Sequence, residues 1–277
     1  SAASDVYKRQ VKSPSGLFSL RNEEKMIITS KNNNTYKFLK GLLEKKYRQE
    51  HKLFMVEKPV VIEEAEGFEI KYLALNESAY RSNKFENIVK NVGQDKIFVF
   101  SDHIFKNLCD AVTSPGIIAY YSYLHRDFDR TSGKFIYLDD IREPGNLGGI
   151  IRSADALGLD GLIISPESCD LYNPKTVRSS MSSIFRLPIY FMAREDLVDL
   201  DFNIIATSLE NSTSTRDYDF KDKDIVVIGN EAKGVSDFLM SHAKDFLNIP
   251  ISDKVDSLNA NVAASIIIYE MMKWPMY

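Results

Sequence analysis

Polar side chains that could take part in catalysis follow three predicted strands in the second half of the sequence. Asn146 and Arg152 come after the strand in "FIYLDDIREPGNLGGIIR". Glu231 follows the apolar run "DIVVIG", and Ser257 and Asn259 follow "IPISDKVD". Amide, hydroxyl, carboxylate and guanidinium groups can orient a hydroxyl or bind a phosphate through hydrogen bonds. Because ligands bind beyond the carboxyl ends of strands in open parallel sheets, these groups predict a site at that edge.

Each of these side chains also has an ordinary structural explanation. Ser257 and Asn259 precede an apolar helix, and their oxygens could satisfy its free N–H groups, with Ser257 the expected cap. Glu231 could be a favourable charge at a helix N-terminus. Arg152 could form a surface ion pair, so none of the residues identifies a site alone.

The glycine-rich turn before the first of these helices permits a second functional interpretation. Gly145, Gly148 and Gly149 with Asp170 superficially resemble a dinucleotide-binding turn and its ribose-binding carboxylate. The glycines do not have the G-x-G-x-x-G spacing, and no paired His or Tyr/Lys set accompanies them. A nicotinamide-dependent oxidoreductase is therefore the weaker alternative.

The elements that must position these residues alternate along the chain, which predicts an α/β fold. In the first half, "LFMVE", "KYLALNE", "KIFVFS" and "PGIIAYYSY" are strands separated by helices, which indicates βαβ units. In the second half we expect strands at 135–139, 161–165, 189–191, 204–208, 225–228 and 246–249, with helices at about 147–157, 175–184, 236–244 and 258–273. The expected divisions are a leader (1–25) excluded from the fold, an N-terminal domain (26–124), a linker (125–133) and a C-terminal domain (134–277).

Positive charge is concentrated near the start of the predicted N-terminal domain. The whole chain has a net charge of −4, but residues 26–58 carry eight basic and three acidic side chains. Clustered basic residues contact phosphate backbones, although a solvated helix face is the alternative. The expected phosphate-backbone contacts in this segment are Lys31, Lys45, Lys46 and Arg48.

Composition argues against metal and membrane binding. Cys109 and Cys169 have no metal-ligand spacing and suit a reducing cytoplasm, and the four histidines form no i,i+4 pair. No apolar run reaches transmembrane length. We therefore expect no metal, no membrane partner and a cytoplasmic location.

The three strand-end motifs, taken in order, resemble those of a known enzyme family. N-L-G-x-x-x-R, then G-N-E-x-x-G, then I-P-I…S-L-N are similar to the motifs of the SpoU/TrmH family of RNA 2′-O-ribose methyltransferases, in the SPOUT superfamily. The resemblance runs from Met26 to the C-terminus and includes "RSSMSSIFRLPIY" at 178–190. It implies a C-terminal SPOUT α/β domain with a deep trefoil knot, S-adenosyl-L-methionine as cofactor and a homodimer. It also implies a small N-terminal α/β RNA-binding domain resembling a ribosomal protein. For the C-terminal domain, the pattern alone predicts an ordinary doubly wound sheet and no knot.

The resemblance assigns roles residue by residue. By motif position, the implied catalytic residues are Asn146, Arg152, Glu231, Ser257 and Asn259, and the implied cofactor contacts are Ser208, Leu209, Gly229, Ile249, Ile251 and Leu258. A guanidinium is in effect always charged, so we expect Arg152 to bind the RNA phosphate bidentately rather than to act as a base. The implied substrate is tRNA or rRNA, and an RNA-binding relative without activity is the alternative.

Three positions depart from the family pattern. Asn261 stands where a small hydroxyl residue is usual, Ser182 where a glycine is common, and Lys58 follows Glu57 where a glycine is usual. We expect these changes to affect helix packing and RNA contacts more than the reaction.

Overall fold

The structure, a computed structural model, describes residues 25–124, 126–255 and 257–272 and contains two β-sheets. The predicted leader lies outside the described residues, except for Lys25. No described helix is both long and apolar enough to cross a membrane.

The first sheet has five strands in the order β1-β4-β3-β5-β2. The strands are β1 (Ile27–Ile28), β2 (Leu53–Val56), β3 (Ile70–Asn76), β4 (Ile97–Phe100) and β5 (Ile117–Ser122). β1, β4 and β3 run parallel, but β5 is antiparallel to both β3 and β2. The prediction of βαβ units throughout this half is therefore wrong for β5, because alternation of strands and helices does not fix strand direction.

Short helices connect the strands of the first sheet. They are α1 (Asn34–Gly41), α2 (Lys45–His51), α3 (Pro59–Glu64), α4 (Glu77–Arg81), α5 (Glu86–Val89) and α6 (Asp102–Phe105), with a 3₁₀ turn at Gln94–Lys96. Local sequence determines where several of these helices begin. The Asn33 side chain caps α1 by accepting a hydrogen bond from the Tyr36 N–H, and the Asn76 side chain caps α4 by accepting one from the Ala79 N–H. Pro59 begins α3, where its missing N–H has no cost.

The second sheet has seven parallel strands in the order β10-β12-β9-β11-β6-β7-β8. The strands are β6 (Lys134–Leu138), β7 (Gly161–Ile164), β8 (Ile189–Phe191), β9 (Asn203–Thr207), β10 (Thr213–Ser214), β11 (Asp224–Ile228) and β12 (Asp245–Asn248). All six predicted strands are present, and β6, β7 and β11 are almost wholly buried apolar runs covered on both faces. β10 adds a short edge strand that the sequence pattern did not indicate.

The helices of the second half are α7 (Pro144–Ala156), α8 (Pro174–Ser180), α9 (Ser183–Arg186), α10 (Arg194–Val198), α11 (Asp237–His242) and α12 (Ala260–Met272). The single helix predicted at 175–184 is wrong, because Met181 has a φ of 54° and separates α8 from α9. α12 is capped by Asn259, whose side chain accepts a hydrogen bond from the Asn261 N–H at 2.9 Å. Ser257 is therefore not the cap.

One hydrophobic cluster joins the two sheets. Phe54 and Tyr121 of the first sheet contact Phe185 of α9 at ring-centroid distances of 5.9 and 5.0 Å. Tyr123, just beyond β5, stacks on Tyr172 at 3.8 Å, and these rings belong to or pack against the same core. The two halves of the chain are thus packed directly against each other.

Arg48 connects the two halves and is not available to RNA. Its side chain is only 2% exposed, and its Nη2 lies 2.6 Å from Asp170 Oδ2. Its Nη1 donates to the Leu42 and Leu43 carbonyl oxygens at 3.0 and 2.6 Å. The expectation that Arg48 contacts RNA is therefore wrong, and Asp170 is occupied by an ion pair instead of standing open for a ribose.

We expect Arg48→Ala to destabilise the protein by about 3–5 kcal/mol, because the substitution leaves the Asp170 carboxylate, whose side chain is only 10% exposed, without its counter-ion. Urea unfolding followed by circular dichroism measures this loss. Lys45→Ala is the control: Lys45 lies on the same helix but is exposed, so its effect should stay within about 0.5 kcal/mol. Unchanged stability of the Arg48 variant together with weaker RNA binding would contradict the buried structural role.

Candidate active site

The N-terminus of α7 is built around Glu143. Pro144 opens the helix, and the Glu143 carboxylate accepts a hydrogen bond from the Asn146 N–H at 2.6 Å. The same carboxylate pairs with Lys175, and this contact lowers the pKa of Glu143 below its ordinary value. An anion at a helix N-terminus also interacts favourably with the helix dipole. The first turn of α7, which carries Asn146, is thus held in place.

Asn146 connects the first, second and third motifs. Its Nδ2 donates to Glu231 Oε1 at 2.9 Å, and its Oδ1 accepts from Asn259 Nδ2 at 2.9 Å. Glu231 Oε2 also accepts from the Arg142 N–H at 3.3 Å. Partial burial raises the pKa of Glu231, but these hydrogen bonds outweigh it, so the net pKa is lowered. Three of the five predicted catalytic residues therefore form one network around an ionised carboxylate.

The loop after β11 folds back tightly on itself. Asn230 and Gly234 exchange two backbone hydrogen bonds of 2.9 Å each. A Cβ on Gly229 would lie 2.2 Å from Gly234 C and from Val235 N, a distance that no side chain can occupy. The Asn230 Nδ2 donates to the Asp140 carbonyl oxygen at 2.8 Å, which attaches the loop to the segment after β6. Gly229 is thus required for close backbone approach.

A cavity of about 580 Å³ opens beside this loop. It lies at the carboxyl ends of β9, β11 and β12 and at the start of α12, where an open parallel sheet binds ligands. Its volume is within the range of small-molecule sites. All six predicted cofactor contacts line it: Ser208, Leu209, Gly229, Ile249, Ile251 and Leu258.

Two further predicted residues meet at the rim of this cavity. Glu231 and Ser257 both line it, so the carboxylate of the polar network lies next to the space. Ser257 is exposed and makes no hydrogen bond to Asn146 or Asn259 among the described residues. The structure thus associates Ser257 with the cavity rather than with the polar network.

Arg152 lies on an exposed ridge of α7. α7 contacts a helix on each side of this ridge. Ser153 accepts a hydrogen bond from Ser265 of α12 at 2.7 Å, and Gly148 packs against Ser179 of α8. Arg152 makes no hydrogen bond or ion pair with any residue in the described ranges. The surface ion pair proposed as its ordinary explanation is therefore not formed within the part of the chain that the structure describes, where its guanidinium is open to a ligand.

Two of the departures from the family pattern lie where α3 contacts the second half of the chain. Lys58 Nζ lies 2.9 Å from Met181 Sδ, and Ser182 donates a hydrogen bond to the Glu64 carboxylate. Burial lowers the pKa of Lys58, and Arg152 and Arg178 lower it further by charge repulsion. Both residues therefore take part in packing the two halves, and Lys58 adds positive charge near Arg152.

Asn261, the third departure, packs against α7. A Cβ on Gly149 would lie 2.5 Å from Asn261 Nδ2, so the amide occupies the space that this glycine leaves. The Asn261 Oδ1 is buried and has no hydrogen-bond partner. The larger side chain is thus accommodated next to the helix that carries Asn146 and Arg152.

Sequence reasoning did not single out Asn230 or Glu143. Asn230 stands inside the quoted G-N-E motif, and the two hydrogen bonds that its Oδ1 accepts, from the N–H groups of Ala232 and Lys233 at 2.9 and 3.1 Å, are typical of an Asx turn. Glu143 stands three residues before Asn146, the spacing of a side-chain cap. Either residue could have been found from turn and capping rules.

No group of three His, Cys, Asp or Glu side chains within the described ranges could hold a metal ion. The five predicted catalytic residues carry two amides, one hydroxyl, one carboxylate and one guanidinium. This set is suited to orienting an organic substrate through hydrogen bonds and to binding an anion.

Comparison with known proteins shows which class of protein this chain resembles. Residues 133–269 match the SpoU rRNA methylase family, and residues 33–119 match the MRM3-like substrate binding domain. A 23S rRNA (guanosine(2553)-2′-O)-methyltransferase of Bacillus subtilis is 28% identical over 251 residues, covering 88% of this chain and 98% of that protein. A TrmH family tRNA/rRNA methyltransferase of Staphylococcus saprophyticus is 32% identical over 219 residues, covering 74% of this chain and 84% of that protein.

Two solved structures superpose on nearly the whole of this chain. An rRNA methyltransferase from Sinorhizobium meliloti superposes with a TM-score of 0.81 at 26% identity, covering 92% of this chain and 100% of that one. AviRb from Streptomyces viridochromogenes is a SpoU methyltransferase solved in complex with AdoMet. It superposes with a TM-score of 0.78 at 27% identity, covering 87% of this chain and 98% of that one.

The fold and site therefore define a methyltransferase that carries a separate substrate-binding domain. More specifically, the chain belongs to the SpoU/TrmH family of RNA methyltransferases.

Proposed function

We propose that this chain catalyses S-adenosyl-L-methionine-dependent methylation of a ribose 2′-hydroxyl in RNA. The protein is an RNA 2′-O-methyltransferase, as its membership of the family and its cofactor-bound structural relatives indicate. The observation that carries the assignment is the network of Asn146, Glu231 and Asn259, which adjoins the cavity at the sheet edge through Glu231.

The cavity fits the cofactor in size and in chemistry. Leu209, Ile249 and Leu258 offer apolar surface, and Gly229 lets the backbone of the loop after β11 pack closely along one wall. These residues, with Ser208 and Ile251, would hold S-adenosyl-L-methionine. When bound, the cofactor supplies an electrophilic methyl group on a sulfonium.

The chain's own residues would align and activate the RNA. Arg152 binds the phosphate beside the target ribose, and that phosphate or a water accepts the proton that the hydroxyl loses as its oxygen gains the methyl group. Asn146, Ser257 and Asn259 would orient the hydroxyl, while Glu231 fixes the loops by accepting hydrogen bonds from Asn146 and Arg142. Alignment of this kind lowers the barrier without covalent catalysis.

Ribosomal RNA is the substrate that we propose. Relatives from Bacillus subtilis and Streptomyces viridochromogenes are named for the methylation of 23S rRNA. Residues 26–124 would form the RNA-binding domain, ribosomal-protein-like in character, and 134–277 the SPOUT domain. Lys31, Lys45 and Lys46 are exposed and stand as proposed RNA contacts in the first of these.

We further propose a homodimer, a trefoil knot in the C-terminal domain and a cytoplasmic location. The exposed apolar side chains of Val262 and Tyr269 on α12 support an interface there. The overall similarity to SpoU methyltransferase structures supports the knot, and the free cysteines Cys109 and Cys169 suit a reducing compartment.

Ribose-methylation mapping of total RNA, with and without the gene, tests the activity and names the substrate. We expect a single ribosomal position to lose its methyl group in the deletion strain and to regain it when the wild-type gene is returned. Loss of a methyl group from a tRNA position instead would show that the substrate is tRNA. An unchanged methylation map, together with no methyl transfer by the purified protein to RNA from the deletion strain, would favour a relative without activity.

A further inference from the structure

A second cavity, of about 560 Å³, lies where the two halves of the chain meet. We call it the junction cleft. α2 and the segment after β5 form one wall, and the loop after β7 with the end of β8 forms the other. It shares no lining residue with the cavity beside Gly229.

The floor of the junction cleft is attached to the active site. Ser165 Oγ and Ser168 Oγ accept hydrogen bonds from the Asp140 and Ile141 N–H groups, both at 3.0 Å. The next residue, Arg142, donates its N–H to Glu231. The same short segment after β6 therefore hydrogen-bonds both to serines that line the cleft and to the Glu231 carboxylate.

The cleft is positively charged. Lys45, Lys52 and Arg126 line it, all three are exposed, and none has an ion pair with a carboxylate in the described ranges. Asp170 also lines the cleft, but the buried Arg48 guanidinium neutralises it at 2.6 Å. Arg126 also donates a hydrogen bond to the Phe185 carbonyl oxygen at 3.5 Å. The three cations thus face a cavity whose described lining residues include no unpaired carboxylate, which favours a polyanion.

An exposed aromatic ring completes the cleft. Phe191, the last residue of the edge strand β8, is 55% exposed although it is apolar. Across the cleft Tyr123 stacks on Tyr172, and Lys52 Nζ lies 5.7 Å from the Tyr123 ring. Cations beside an exposed aromatic ring are the usual means of binding single-stranded nucleic acid, because every unstacked base presents a face to the ring.

We propose that the junction cleft binds a single-stranded segment of the RNA substrate next to the methylated nucleotide, with phosphates on Lys45, Lys52 and Arg126 and a base stacked on Phe191. The proposal rests on the proposed function. It adds where the RNA binds and that the bound segment is single-stranded. A paired region does not fit this chemistry, since its bases are already stacked and cannot cover Phe191.

The test measures binding of the full-length protein to a ten-nucleotide oligouridylate by fluorescence anisotropy over a series of KCl concentrations. In Lys45→Gln/Lys52→Gln, two phosphate contacts are lost, so the slope of log K against log[KCl] should become shallower by about 1.4. The matched control is Lys84→Gln/Lys90→Gln, which removes two exposed lysines from the same half but outside the cleft, and should leave the slope unchanged. Phe191→Ala should weaken binding about 5- to 150-fold with an unchanged slope.

Each alternative outcome has a defined meaning. An unchanged slope in the Lys45/Lys52 variant, or competition by poly-L-glutamate as strong as that by oligouridylate, would overturn the proposal. Unchanged affinity in Phe191→Ala would overturn its stacking component. S-Adenosyl-L-methionine affinity should stay at the wild-type value in all these variants, because the cofactor cavity shares no residue with the cleft. Failure of the wild-type protein to methylate any RNA would refute the proposed function instead.

Discussion

Arg152→Ala is expected to lower the rate of methyl transfer roughly 100- to 1,000-fold, as the loss of one positioned transition-state contact does in other enzymes. The affinity for S-adenosyl-L-methionine should change by less than about threefold. Arg152 lies on the outer ridge of α7 and does not line the cofactor cavity, and it makes no ion pair in the described part of the chain. Its removal should therefore affect the RNA and the reaction but not the cofactor. Single-turnover transfer of labelled methyl and calorimetric cofactor binding measure the two effects separately.

Arg152→Lys distinguishes a guanidinium fork from a simple positive charge. A lysine keeps the charge but cannot make two parallel hydrogen bonds to a phosphate, so we expect the variant to lose most of the activity as well. Near-normal turnover in Arg152→Lys would contradict the bidentate role.

A matched control for Arg152 is Arg130→Ala. Arg130 is also exposed, but its Nε lies 3.3 Å from the Tyr190 hydroxyl, and it lies outside the cofactor cavity and the polar network of Asn146. Its removal should leave turnover within about twofold of wild type. If cofactor affinity collapsed in Arg152→Ala but not in Arg130→Ala, Arg152 would have to be assigned to the cofactor and not to the RNA.

The grouping of Asn146, Glu231 and Asn259 could be predicted from the sequence because it depends on one general rule. Asn146, Glu231 and Asn259 are separated by up to 113 residues, but each follows a strand of the same parallel sheet, so their strands end at the same edge. The order of the motifs then identified the family, and the family matches confirm that identification. Neither inference required knowledge of a contact.

The errors concern long-range contacts. Arg48 was grouped with the exposed lysines because its neighbours in sequence are polar, but its partner Asp170 is 122 residues away and no local pattern indicates it. The direction of β5 likewise depends on its pairing with β2 and β3. Burial of a cation and antiparallel pairing are both set by tertiary packing, which overrides local preference.

Other errors are local but depend on small energy differences. Ser257 and Asn259 are both good capping residues, so composition alone could not decide which one caps α12. The break between α8 and α9 depends on Met181 adopting a positive φ, which a residue with a Cβ rarely does without support from its surroundings. These features require the structure.

Gly229→Ala should abolish measurable cofactor binding, with at least a ~100-fold loss of affinity, and should also lower stability. The added Cβ would lie 2.2 Å from Gly234 C and Val235 N, and both are backbone atoms that cannot rotate away. The loop must therefore open, which breaks the paired hydrogen bonds between Asn230 and Gly234. Overpacking of this kind costs about 1–3 kcal/mol, and each lost hydrogen bond adds about 1 kcal/mol. Calorimetry with S-adenosyl-L-methionine measures the affinity, and urea unfolding measures the stability.

Gly161→Ala separates the effect on the cavity from a general loss of stability. Gly161 begins β7, and a Cβ there would lie 2.9 Å from the Pro188 carbonyl oxygen, but Gly161 does not line the cofactor cavity. This control should be destabilised while its folded fraction binds the cofactor normally. If Gly229→Ala bound S-adenosyl-L-methionine like the wild type, the cavity beside this loop could not be the cofactor site, because no rearrangement that admits the new Cβ leaves the backbone of 229–235 in place. Equal losses of affinity in both variants would instead mean that cofactor binding depends on the stability of the whole sheet.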